Sequence, residues 1–268
     1  MKYLTRGKYL HYNPGMFKNL GKIPEKLKRR FIPYLENLLK IHKDNIRSII
    51  IYGSTASGEY IHGKSDVNLL IVCKQLGFQD LKKSIKLIHS GRKKGIAAPL
   101  FLTIEHINTS QDVFPIEFLE IKDNHLTVYG DDPFEELHIN TEQLRLECEE
   151  QIKGKLIRLR GAYLETGGSP IALRNLLISS FTSILPPIRG TLRVMGESPP
   201  VGKKELISVA AEKLGISKEV FQDVLTLKAG KSIKASKLEK LFEDYMEEVT
   251  KLASYVDKLE INTQVKPE

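Results

Sequence analysis

Apolar residues follow two rhythms along this chain. In the first half, short β-branched runs alternate with amphipathic stretches. In the second half, three- and four-residue steps take over, which is the period of helix. Asn13-Pro14-Gly15 marks a turn. Pro24 then stands where a first helical residue would, and Phe31, Tyr34, Leu35, Leu38, Leu39 and His42 recur as one face of a helix that Asp44-Asn45 ends. Ile46–Tyr52 reads as a buried strand, and 67–73 as a second. Leu81, Ile85 and Leu87-Ile88 suggest a helix over 76–89. P-L-F-L-T-I at 99–104 reads as a third strand and F-P-I-E-F-L-E-I at 114–121 as a fourth, with Pro115 placing its start at an edge or at its first residue.

The β/α alternation stops near Pro133. Beyond Thr141, Leu144, Cys148, Ile152, Leu156, Leu159 and Tyr163 make one stripe of a long helix that Thr166-Gly167-Gly168 ends. Ser169-Pro170 reads as the cap and first-turn proline of the next helix. That helix should bend or break at Pro186-Pro187, where amide hydrogens are missing. Helices follow over 203–214 and 218–227. Leu238, Leu241, Tyr245, Val249, Leu252, Val256 and Leu259 define the last one. The expected class is α+β: a small mixed-sheet domain with flanking helices over 1–138, then an all-helical bundle over 139–268.

The chain has 268 residues, enough for a large domain or two small ones, with 41% hydrophobic and 28% charged residues. There is no internal repeat or low-complexity tract. Cys73 and Cys148 sit on different elements without metal-ligand spacing, which suggests a reduced, cytoplasmic protein. The longest greasy run, 176–185, is too short to span a bilayer, so no membrane partner is expected. The net charge of +8 favours polyanionic partners. The surplus gathers early: Lys2, Arg6, Lys8, Lys18, Lys22, Lys26, Lys28, Arg29 and Arg30 are balanced only by Glu25.

The chemistry concentrates in I-I-I-Y-G-S-T-A-S-G-E-Y-I-H-G-K-S-D-V-N-L-L-I-V, from Ile49 to Val72. An apolar strand runs into Gly53-Ser54, and a second strand opens with Asp66. Glycine lets backbone amides approach an anion closely, and turn amides form a nest for phosphate. Gly53 and Ser54 are therefore nucleotide-binding candidates, with Ser65 beside the second strand. Residues two apart on a strand share a face, so Asp66 and Asn68 point together. Magnesium prefers carboxylate, phosphate and water oxygens. A third carboxylate on a neighbouring strand would complete a metal site; Glu117 is the first candidate, and Glu120 the alternative on the opposite strand face.

Gly53-Ser54, the step to Asp66 and the following N-L-L-I-V strand resemble the nucleotidyltransferase superfamily, with its DNA polymerase beta-like fold. The domain order is similar to that of antibiotic nucleotidyltransferases such as the aminoglycoside adenylyltransferases. The resemblance implies that Gly53 and Ser54 hold a nucleoside triphosphate. It implies that Asp66, Asn68 and Glu117 ligate magnesium or manganese, with Asp66 and Glu117 catalytic and Glu117 able to act as base. It implies transfer of a nucleoside monophosphate to a hydroxyl of a small molecule, protein or RNA, with pyrophosphate released. Lys155 and Arg158 would contact the base or acceptor; a solvated helix face is the plainer account of them.

Asn68 stands where the superfamily pattern has a second acid. Asparagine can ligate through its carbonyl but brings no charge and bridges two cations poorly. The alternative is thus a degenerate nucleotide- or RNA-binding module, or a partner-binding, antitoxin-like subunit on the same fold.

Overall fold

A computed structural model describes residues 16–58, 60, 65–231 and 233–261. Lys2, Arg6, Lys8 and the Asn13-Pro14-Gly15 turn lie outside these residues. The chain forms two compact units: Met1–Ile107 with Asn124–Glu136, and Asn108–Asp123 with Leu137–Glu268. The single boundary expected between 138 and 139 is therefore replaced by three crossings, because the segment 108–123 belongs with the helical half.

In the first unit, α1 (Glu25–His42) leads into β1 (Ile46–Tyr52), followed by β2 (Asn68–Cys73), α2 (Phe78–Arg92) and β3 (Leu100–Thr103). The short helix α3 (Ile104–Thr109) carries the chain out of this unit, and β4 (His125–Gly130) brings it back. The sheet order is β3-β2-β1-β4; β1 is antiparallel to β2 and β4, while β2 and β3 are parallel. Alternation sorts the side chains. Ile49, Ile51, Leu69 and Ile71 join Phe31, Tyr34, Leu35 and Leu38 of α1 in one core. Ile50, Leu70 and Val72 point to the other face and are also fully buried.

The second unit contains α4 (Pro115–Asp123), α5 (Thr141–Glu165), α6 (Pro170–Val194), α7 (Lys203–Leu214), α8 (Lys218–Lys228) and α9 (Ala235–Asp257). The Asn140 side chain caps α5 by accepting from the Glu142 and Gln143 amides, and Ser169 caps α6. Ile152, Leu177, Phe181, Ile188, Phe221, Tyr245 and Leu252 are among its buried core residues. α6 has the length and composition of a membrane-crossing helix, but here its apolar face lies inside this core.

Three expectations need correction. Residues 114–121 are not a strand: Pro115 opens the helix α4, a position where its missing amide costs nothing. The fourth strand is instead β4, which follows α4 after Asn124. α6 also runs through Pro186-Pro187 to Val194. A helix-interior proline costs about 3 kcal/mol, which the burial of Ile184, Leu185, Ile188 and Leu192 around the pair offsets.

Candidate functional site

β1 ends in a turn that only glycine enters without strain. Gly53 has φ +71°, in the left-handed region, and begins a single turn of 3-10 helix over Gly53–Thr55. Its amide donates to the Asn124 carbonyl at 3.0 Å, and its carbonyl accepts from the Ala56 and Ser57 amides at 2.9 and 3.0 Å. The turn is fixed at both ends by backbone bonds, and Ser54, half-buried, follows Gly53 in it.

The approach to β2 is held equally well. The Val67 amide donates to Gly95 and its carbonyl accepts from Ala97, while its side chain is fully buried. Asp66 and Asn68 flank it and take the opposite face by alternation. Asp66 is exposed and Asn68 partly buried. Along β2 the same row continues into buried Leu70 and Val72, so a polar mouth gives way to an apolar strip. Asn68 pairs across the ladder with Tyr52, the residue before Gly53. Gly53, Ser54, Asp66 and Asn68 thus gather at one end of the sheet. Ser65 adjoins Asp66 and already has a partner of its own.

The next strand adds no acid to this face. Leu100 and Leu102 of β3 pair with Leu70 and Val72, so they continue the row with apolar side chains. Glu117 does not supply the acid from a strand, because it lies on α4 in the helical unit. There it accepts from Gln151 Nε2 at 3.3 Å. The same amide donates at 2.8 Å to Glu147, whose other oxygen accepts from the Ile116 amide at 2.8 Å. Burial, then the neighbouring Glu117 carboxyl, pushes the Glu147 pKa up to about 7. Glu120, the alternative, is bound by the buried Arg189 at 3.1 Å, and Arg189 also donates to the Val201 carbonyl at 2.9 Å. This is a structural ion pair within the helical unit.

Sequence reasoning missed one pair at the same sheet end. His125 opens β4 and pairs in register with Tyr52. Its Nε2 lies 2.8 Å from Asp132 Oδ2. The sequence signal for it is the short run H-L-T-V-Y-G at 125–130, which competes with the alternation of 114–121 for the fourth strand.

The donor set bears on a metal ion. Among the described residues, no three His, Cys, Asp or Glu side chains stand together as a ligand group. The start of β2 offers one carboxylate, Asp66, and one amide carbonyl, Asn68; Asp132 at this sheet end is engaged by His125. That set fits a magnesium ion that arrives on a triphosphate and keeps most of its water and phosphate ligands. It does not fit a pair of protein-held ions, which would need more carboxylates.

No protein-family model matches the chain, and no curated protein matches it. Among solved structures it is similar to a spectinomycin adenyltransferase from Enterococcus faecialis, crystallised with ATP and spectinomycin. The TM-score is 0.53 at 14% identity, covering 85% of this chain and 98% of that one. At that distance the likeness establishes a shared fold: a mixed sheet with flanking helices, followed by helices.

Proposed function

We propose that this chain binds a nucleoside triphosphate at the Gly53 turn and acts as a nucleotidyltransferase, moving a nucleoside monophosphate to a hydroxyl acceptor. The observation that carries this reading is the gathering of Gly53, Ser54, Asp66 and Asn68 at one end of the sheet. The shared fold with an adenyltransferase crystallised with ATP supports it. Gly53 admits the phosphates because no Cβ stands in their way, and the amides and hydroxyl of the turn bind and orient them. Asp66 and the Asn68 carbonyl would hold magnesium, which when bound neutralises charge on the phosphates. An acceptor hydroxyl must lose a proton as it attacks phosphorus; the leaving group is pyrophosphate. Glu117 and Lys155 with Arg158 remain proposals for the base and for acceptor contact, now as members of the helical unit.

A second reading has its own support. Asn68 in place of an acid, and Leu100 and Leu102 on the adjoining strand, leave Asp66 as the one carboxylate contributed by the β2–β3 side. A nucleotide- or RNA-binding module without turnover fits that count. Calorimetric titration of magnesium ATP into the native chain and into Asp66→Ala tests the common ground. Magnesium-dependent binding lost in the variant supports a triphosphate site at Asp66. Pyrophosphate release across nucleotides and acceptors then separates transferase from module. Magnesium-independent binding overturns the metal site and leaves the module; no nucleotide binding overturns both nucleotide readings.

A further inference from the structure

The helical unit holds a groove that carries Lys155 and Arg158. It lies between α5 and α6 and has a volume of about 260 Å³. Lys155, Arg158 and Leu159 line one wall, and Ser179, Ser180 and Ser183 the other. Three- and four-residue spacing puts each set on one face of its helix.

Lys155 and Arg158 differ from Arg145 and Lys153 of the same helix, which are held by carboxylates. Arg145 is paired with Glu149 at 2.8 Å, and Lys153 with Glu149 and Asp257. Lys155 reaches the neutral Gln151 Oε1 at 3.2 Å, and no described residue accepts a hydrogen bond or ion pair from Arg158. Burial, then the nearby Arg158 charge, holds the Lys155 pKa below its ordinary value, while Glu117 and Glu147 pull the other way. Two neighbouring cations without a direct ion pair favour an incoming anion. The opposite wall suits the same guest. Ser179 donates to the Leu176 carbonyl and Ser183 to the Ser180 carbonyl; both are exposed and can turn their hydrogens to a ligand. Ser180 is tied to Tyr245 at 3.1 Å and fixes that wall.

We propose that the α5–α6 groove recognises the phosphoryl group of a small phosphorylated ligand, held between Lys155 and Arg158 on one wall and the Ser179 and Ser183 hydroxyls on the other. A guanidinium offers phosphate two parallel donors, and a lysine adds a point charge. Leu159, buried beneath them, suits the carbon skeleton of an organic phosphate. The volume lies just below the usual range for ligand pockets, about 300–1,000 Å³, so the guest is small. The groove is built within the helical unit, and its test does not depend on the nucleotidyltransferase reading.

The test uses inorganic pyrophosphate as probe, without divalent metal, titrated by calorimetry into the full chain at fixed ionic strength. Four proteins are compared: native, Lys155→Met/Arg158→Met, Ser179→Ala/Ser183→Ala, and Lys82→Met/Lys86→Met as an equal change of charge elsewhere. Binding should weaken at least tenfold in the first double variant, several-fold in the serine variant and by less than twofold in Lys82→Met/Lys86→Met. The proposal is overturned if the native chain does not bind, or if Lys155→Met/Arg158→Met and Lys82→Met/Lys86→Met weaken binding equally. It also fails if the first double variant binds as tightly as native, which would place the probe elsewhere.

Discussion

A Cβ built on Gly53 would stand 3.1 Å from Asn68 Nδ2. The turn and the first residue of β2 are that close, with Tyr52 and Asn68 paired across the ladder. Asn68→Asp would place a second carboxylate two residues from Asp66 and on the same strand face. Charge count tunes metal affinity. Magnesium-dependent ATP affinity should therefore rise about tenfold in Asn68→Asp, read by calorimetry with and without chelator. No change would mean that position 68 does not face the metal.

Gly53→Ala should fail in a different way. The new methyl meets Asn68, and alanine at φ +71° is strained. A left-handed non-glycine residue costs about 1–2 kcal/mol. We expect a modest loss of stability in urea melts and a much larger loss of ATP binding. Proportionate losses would show that the turn matters only for folding.

Glu147 should make stability depend on pH in an unusual direction. Its folded pKa is raised to about 7 from 4.5. Between those values the folded state holds a proton that the unfolded state has lost. Stability from this group is therefore fully present below about 4.5 and is lost as pH rises through about 7. The group is only half-buried, so screening trims the effect to on the order of 1 kcal/mol. Urea midpoints of native and Glu147→Gln should converge at low pH and separate toward pH 8, with the variant the more stable. Glu117→Gln should move the native transition to lower pH by removing the neighbouring carboxylate.

Arg189 is buried and held by Glu120 and two backbone carbonyls. Removing one member of such a pair leaves a buried charge unmatched and costs about 3–5 kcal/mol. Glu120→Ala should lower the thermal midpoint by several degrees. A Glu120→Ala chain with native stability would show that solvent already satisfies the arginine.

Gly190 lets α5 and α6 approach. A Cβ there would lie 2.5 Å from Cys148 Sγ and 3.4 Å from Ile116. Gly190→Ala should therefore destabilise the helical unit by about 1–3 kcal/mol through overpacking, although alanine is the better helix former. Gly190→Ala with Cys148→Ala should recover part of the loss, as measured by chemical denaturation.

The elements legible in the sequence were those with one clear period. β1, β2 and α7 to α9 each bury residues at the spacing that announced them. The segment 114–121 was ambiguous: Phe114, Ile116 and Phe118 alternate like a strand, while Ile116, Phe118 and Ile121 are what the helix α4 buries. Reading it as strand carried Glu117 to the sheet and hid β4, and with it His125 and Asp132. Asp66 and Asn68 were readable because strand parity places them without tertiary information. The Glu117–Gln151–Glu147 chain was not, because it joins two helices 34 residues apart in sequence. The proline pair in α6 was misjudged for a related reason: local backbone cost is visible in sequence, whereas the burial that offsets it is not.

The three crossings between units have a practical meaning for dissecting this protein. Ile116 of α4 belongs to the core built by α5 and α6, and β4, which hydrogen-bonds the length of β1, comes only after α4. A cut after residue 138 would give an N-terminal piece bearing an orphaned greasy helix, and a bundle with a hole where that helix belongs. Each unit is assembled from two separate stretches of the chain, so neither can be moved into another protein by a single join.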